Sequence, residues 1–165
     1  MTRSTIARVA ANVVLTLAAL TCLSSGAAGP GTTVPTNLTK VFSIDTSRTP
    51  WETLSIPQTG AKIPYKPIFE DKETGQTVFM VRYPAGFTNV WHSHPAAHGM
   101  FVLDGILKTH QGEFGPGSYV QFPEGGWMQH GATAKNDVTF LFITNKKFGI
   151  SYEGDAHLDY PMFKK

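Results

Sequence analysis

From Trp51 to the C-terminus, no run of ten or more residues keeps a helical spacing of apolar side chains. Short apolar runs alternate with turn-forming residues instead. Residues 77–84, TVFMVRYP, read as a strand closed by Pro84, Ala85 and Gly86. Residues 99–110, GMFVLDGILKTH, read as a β-hairpin with Asp104-Gly105 at its tip. On that pairing Met100 and Val102 share the facing of His98, and Leu107, Thr109 and Gln111 lie across from them toward the same interior. Residues 117–126, GSYVQFPEGG, form a strand ended by Pro and two glycines. Residues 137–145 alternate Val138, Phe140, Phe142 against Thr139, Leu141, Ile143, and residues 148–152 add one more short strand. With 16 Gly and 11 Pro in the chain, the expectation is an all-β fold, a small antiparallel sandwich or barrel. No solenoid-type repeat interrupts this pattern.

The N-terminus has a different grammar. Arg3 and Arg8 precede an apolar stretch from Val9 to Leu23, and small residues follow in SSGAAGPG. Basic, then apolar, then small is the order of a secretory signal, with cleavage expected after Ala28. The apolar run is short and soft for a membrane span of about 20 residues. Leu20-Thr21 before Cys22 is a poor lipobox. The expected organisation is therefore a signal peptide over 1–28, a flexible Thr-, Pro- and Ser-rich segment over 29–50 and one domain over 51–165. Arg3 and Arg8 leave with the leader, so 14 basic residues fall level with the 12 acidic ones. A neutral secreted chain offers no electrostatic case for nucleic acid or an anionic membrane. Its single cysteine lies in the leader, so a core or a metal must replace disulfides. Asn37-Leu38-Thr39 is a glycosylation sequon, relevant only in a eukaryotic secretory route.

Three of the six histidines fall within seven positions, at His92, His94 and His98. On extended backbone all three share one facing. A helical reading would place His94 and His98 one turn apart, but Pro95 and Gly99 oppose it and His92 would point elsewhere. A single histidine is usually a satisfied core or surface residue. Three in phase beside apolar GMFVL suit a transition metal, because neutral imidazoles bind Zn, Fe, Mn, Cu or Ni.

Gly86, five residues, His92, one residue, His94, three residues, His98, six residues, Gly105: this spacing resembles the first motif of the cupin superfamily, with His98 where that motif usually has Glu. Gly117, five residues, Pro123, one residue, Gly125 resembles the second motif, whose histidine would be His130, after four residues instead of two. The resemblance covers residues 65–150. It implies a small antiparallel β-barrel, or jelly roll, holding one divalent transition metal by His92, His94, His98 and His130. His110, outside both motifs, is the other candidate for the last ligand. The resemblance also suggests dimerisation through sheet edges.

Four neutral ligands would leave a divalent ion its full charge and favour an anionic oxygen: a carboxylate, an enolate or hydroxide. The Glu-to-His exchange also removes a carboxylate base, for which Glu124, Gln111 and Tyr119 are the candidate replacements. Tyr119, Gln121, Trp127 and Met128 are placed to line the mouth. The functional expectation is a secreted metal-dependent enzyme, dioxygenase-like, acting on a small organic acid or enolisable compound. Its alternatives are a non-oxidative isomerase, cyclase or lyase, a non-catalytic metal- or ligand-binding protein, and a storage or wall protein.

Overall fold

A computed structural model describes residues 40–154. The expected signal peptide over 1–28 and the sequon at Asn37 lie outside the described residues. Eleven strands follow in order: β1 (Glu52–Ile56), β2 (Ala61–Glu70), β3 (Thr77–Tyr83), β4 (His92–Ser93), β5 (His98–Asp104), β6 (Leu107–Thr109), β7 (Gly112–Phe114), β8 (Tyr119–Phe122), β9 (His130–Ala132), β10 (Val138–Thr144) and β11 (Ser151–Tyr152). Among the described residues there is no helix, and every strand pair is antiparallel. The all-β, antiparallel fold class is as expected. The largest sheet has the order β1-β2-β3-β10-β5-β8 and stays open, with a three-stranded sheet β7-β6-β9 and a two-stranded one β11-β4 beside it.

Alternation decides what is buried. Along β3, Thr77, Phe79, Val81 and Tyr83 are buried while Val78, Met80 and Arg82 are half-buried. Val138, Phe140 and Phe142 of β10 and Met100 and Val102 of β5 join them, and Leu107 and Ala132 contribute from the smaller sheet. Apolar side chains from two sheets thus close over one core.

Two strands escape the periodicity. β2 contains Pro64 and Pro67, which in a central strand would each delete a ladder hydrogen bond. Here β2 pairs with β1 only up to Tyr65 and with β3 only from Tyr65 onward. Each proline therefore faces a single neighbouring strand, and Pro67 also sits at the register shift before Phe69. Ahead of β1, residues 42–50 make no strand. Phe42 packs on Phe69 with ring centroids 5.5 Å apart. The Lys66 ammonium lies 4.7 Å from the Trp51 ring and the Arg82 guanidinium 4.5 Å from it. Lys66, itself buried, donates to the Thr46 carbonyl at 2.7 Å.

The hairpin expected at Asp104-Gly105 does not form. β5 already has β10 on one side and β8 on the other, a pairing extended where the Val102 amide donates to Ser118 and that of Gly117 donates to Val102. No edge remains for residues 107–109, so the chain turns at Gly105 into the smaller sheet. The true hairpin is β6–β7, with His110-Gln111 in its turn. Met100, Val102 and Leu107 are still fully buried, but Leu107 faces the first two across the core instead of pairing beside them. Gly105 is needed at this corner: its φ is +76°, and an added Cβ would lie 2.0 Å from the Asp137 carbonyl oxygen. Gly105→Ala combines left-handed strain of about 1–2 kcal/mol with an overpacking cost of similar size. A stability loss of about 3 kcal/mol is expected in urea unfolding.

Candidate metal centre

His92 is placed by β4. It exchanges two backbone hydrogen bonds with Met128, at 3.1 and 2.9 Å, which fixes both side chains inward. The outward neighbours Trp91 and Trp127 are accordingly exposed. His94 follows on the same facing, and its carbonyl accepts from the Gly125 amide at 2.9 Å, tying the two motif loops together. His130 opens β9, paired with Thr109 of β6. The loop between β3 and β4 comes so close that a Cβ on Gly131 would lie 2.0 Å from the Phe87 carbonyl oxygen. The four residues between Gly125 and His130 do not misdirect that histidine. Met128 and His130 are buried while Trp127 is exposed, so two extra residues on extended backbone leave the facing unchanged.

The ligand atoms of His92, His94 and His130 lie within 4.8 Å of one another, and all three residues are buried. Their second nitrogens are anchored. His92 Nδ1 donates to the Val90 carbonyl at 2.7 Å and His94 Nδ1 to the Gly149 carbonyl at 2.5 Å, which leaves each Nε2 with its lone pair. His130 Nδ1 meets the Tyr83 hydroxyl at 3.1 Å. Backing of this kind orients metal-binding imidazoles. The Nε2 atoms of His92 and His130 are 3.0 Å apart. Two bare acceptors repel at that distance unless a cation or a proton lies between them. The donor set therefore fits a transition ion that prefers imidazole.

Burial disfavours the charged form of His92, His130 and His98. It pulls the pKa of His92 down to about 4, against a smaller opposing effect of the Val90 hydrogen bond. It also sets His130 well below the usual histidine value, helped by the neighbouring His92, His98 and His94. His98 is likewise depressed to about 3, by burial first, with the Ala96 carbonyl opposing. At neutral pH these three imidazoles are thus uncharged, each keeping one ring proton and one nitrogen lone pair.

His98 occupies a different setting. It opens β5 within the large sheet, and its ring lies between Phe122, 4.9 Å and 12° away, and Phe142, 4.5 Å and 19° away. Its centroid is 4.6 Å from that of His94. Its Nε2 is buried and makes no hydrogen bond. The structure thus gathers three of the four expected ligands and sets the fourth against them. His110 is exposed at the β6–β7 turn, beside Trp91.

The three candidate base residues lie elsewhere. The Glu124 carboxylate is exposed and pairs with Lys146 at 2.7 Å. Gln111 is exposed in the β6–β7 turn, because the hairpin that would have turned it inward does not form. The Tyr119 hydroxyl is exposed and donates to Gln121 at 2.5 Å. Polar groups that sequence reasoning does not single out stand beside the cluster instead. Tyr83, Asn89 and Tyr152 line a cavity of about 40 Å³ together with His92, His94 and His130, and its other walls are apolar, including Ile56, Ile63 and Phe79. No local pattern marks those three residues, since each comes from a different part of the chain.

A family model described as the ChrR cupin-like domain matches residues 39–148. The chain belongs to this cupin family. Among solved structures, this cupin is similar to an RmlC-like cupin from Ralstonia eutropha (17% identity, TM-score 0.60, covering 71% of this chain and 76% of the other). It is also similar to a proposed acetylacetone dioxygenase from Methylibium petroleiphilum (14%, 0.60, 77% and 94%). The polyketide cyclase RemF from Streptomyces resistomycificus is a further neighbour (13%, 0.54, 76% and 88%). At these identities the similarity is one of fold. No curated protein matched the sequence.

Proposed function

We propose that this cupin is a secreted, metal-dependent enzyme, dioxygenase-like, acting on a small organic acid or enolisable compound. The observation that carries this reading is the cluster of buried imidazoles, His92, His94 and His130, facing a small and mostly apolar cavity. A divalent transition ion held there supplies a Lewis acid for an anionic oxygen and, if it is Fe, Mn, Ni or Cu, a centre for dioxygen chemistry. His98 is the proposed fourth ligand, supported by its buried Nε2 without a hydrogen bond. The protein's own contribution is to orient these rings through Val90, Gly149 and Tyr83 and to exclude bulk water by burial. The basic, apolar and small-residue order of the leader supports secretion.

Size narrows the substrate. About 40 Å³ holds roughly two or three waters by the usual measure. A short diketone or 2-oxo acid matches that space far better than a polycyclic compound. The neighbours called an acetylacetone dioxygenase and a polyketide cyclase keep oxidative and non-oxidative chemistry side by side. Elemental analysis of the protein from its native host, followed by oxygen-electrode assays with short 1,3-diketones and 2-oxo acids, separates them. A redox-active metal with substrate-dependent oxygen uptake is the expected result. Zinc, with substrate consumed and no oxygen uptake, would replace this reading with an isomerase, cyclase or lyase. The closeness of the cavity favours one further reading, a metal- or ligand-binding protein without turnover, which predicts bound metal and no consumption of any substrate.

A further inference from the structure

We propose that Tyr83 is a positioning residue that reverses its hydrogen bond with His130 when the cluster takes up a cation, and so turns its own hydroxyl proton toward the cavity. The inference rests on the metal-binding reading above and adds the group that meets the ligand's oxygen.

The argument follows one line of hydrogen bonds. A carbonyl can only accept, so the contact with Val90 at 2.7 Å places the His92 proton on Nδ1. His92 Nε2 is then an acceptor, 3.0 Å from His130 Nε2. Without a cation, His130 must carry its proton on Nε2 and donate it to His92. Its Nδ1 becomes an acceptor, and the Tyr83 hydroxyl, 3.1 Å away, donates to it. A cation shared by the two Nε2 atoms needs both lone pairs. The single His130 proton then resides on Nδ1 and is donated to the Tyr83 oxygen. His130 stays neutral in both states, and no proton enters or leaves the protein.

A phenol has one proton. Once Tyr83 accepts from His130, that proton is free for another acceptor. Tyr83 is buried, and a phenol, with an ordinary pKa of about 10, keeps its proton at neutral pH. Its ring is held parallel to that of His130, 8° between planes, and edge-on to Phe140 at 4.9 Å. Asn89 and Tyr152 line the same cavity. The ligand this arrangement suits carries a carbonyl, enolate or carboxylate oxygen. Loading the metal prepares the donor for that oxygen.

The test uses ¹⁵N-histidine NMR of the full chain, metal-free and zinc-loaded. The expected result is His130 protonated at Nε2 without zinc and at Nδ1 with it. In Tyr83→Phe, which keeps the ring, zinc affinity measured against a chromophoric chelator is expected to fall about tenfold or more, with thermal melting reporting that the metal-free variant is folded. The same His130 tautomer in both states overturns the inference, as does a zinc affinity unchanged within twofold in Tyr83→Phe. His92→Ala and His130→Ala tell the two readings apart. If they lose zinc and Tyr83→Phe does not, only the Tyr83 inference fails. If they keep zinc, the metal reading fails and the inference falls with it.

Discussion

Replacing His130 with alanine is expected to lower metal affinity by more than the roughly 100-fold that loss of a backing residue alone can cost. His130 is fully buried, with its Nε2 3.0 Å from that of His92 and within 4.8 Å of the ligand atoms of both partners. Removing it takes away a donor atom itself, and the packed walls of Tyr83 and Phe122 offer no replacement nitrogen. His92→Ala and His94→Ala should behave alike. His98→Ala should reduce affinity less, because its ring is held between Phe122 and Phe142, outside the tight group of three. Metal content after dialysis and the metal-induced rise in melting temperature, which follows mass action, would read all four. Wild-type retention in His130→Ala, or a deeper loss in His98→Ala than in His94→Ala, would refute this order of importance.

The metal-free protein should lose stability steeply below about pH 6. His92 and His98 titrate near 4 and 3 in the folded chain, against an ordinary value of about 6.5 once unfolded, and His130 is displaced the same way. Well above pH 6.5 both states are neutral at these positions and the shifts contribute nothing. As pH falls, the unfolded chain binds protons first and gains stability over the folded one. Each such histidine lowers folding stability by about 2 kcal/mol at pH 5 relative to pH 7. Two or three together consume a large part of the roughly 5–15 kcal/mol typical of a domain. Urea midpoints of the metal-free protein between pH 5 and 7 measure the effect. His98→Phe, which cannot titrate, should flatten the profile. A profile flat in the wild type would mean that these rings are not neutral in the core.

The cluster could be read from sequence because it obeys the shortest rule a strand has. His92 and His94 are two apart, and extended backbone turns them the same way. The all-β class followed from alternation such as that of Val138, Phe140 and Phe142, which the buried face of β10 reproduces. The Asp-Gly signal misled because a turn pair specifies a bend and not the partner of the strand that enters it. β5 was already flanked by β10 and β8, so tertiary pairing overrode local preference. β2 was hidden by Pro64 and Pro67, harmless only because the strand changes partner at Tyr65. Tyr83, Asn89 and Tyr152 were invisible for a related reason. They reach the cavity from β3, from the loop before β4 and from β11, and nothing in their neighbourhoods hints that they converge.

The segment from Gly125 to His130 also sets a counting rule for change. Met128 is locked to His92 by paired backbone bonds, and His130 follows two residues later. Inserting one residue between these points, or deleting Gln129, would turn the imidazole to solvent and bring a different residue to the metal position. Inserting a pair would not. The length of this segment can therefore drift only in steps of two while the centre survives, and a relative with an odd difference there must recruit its last ligand from another strand.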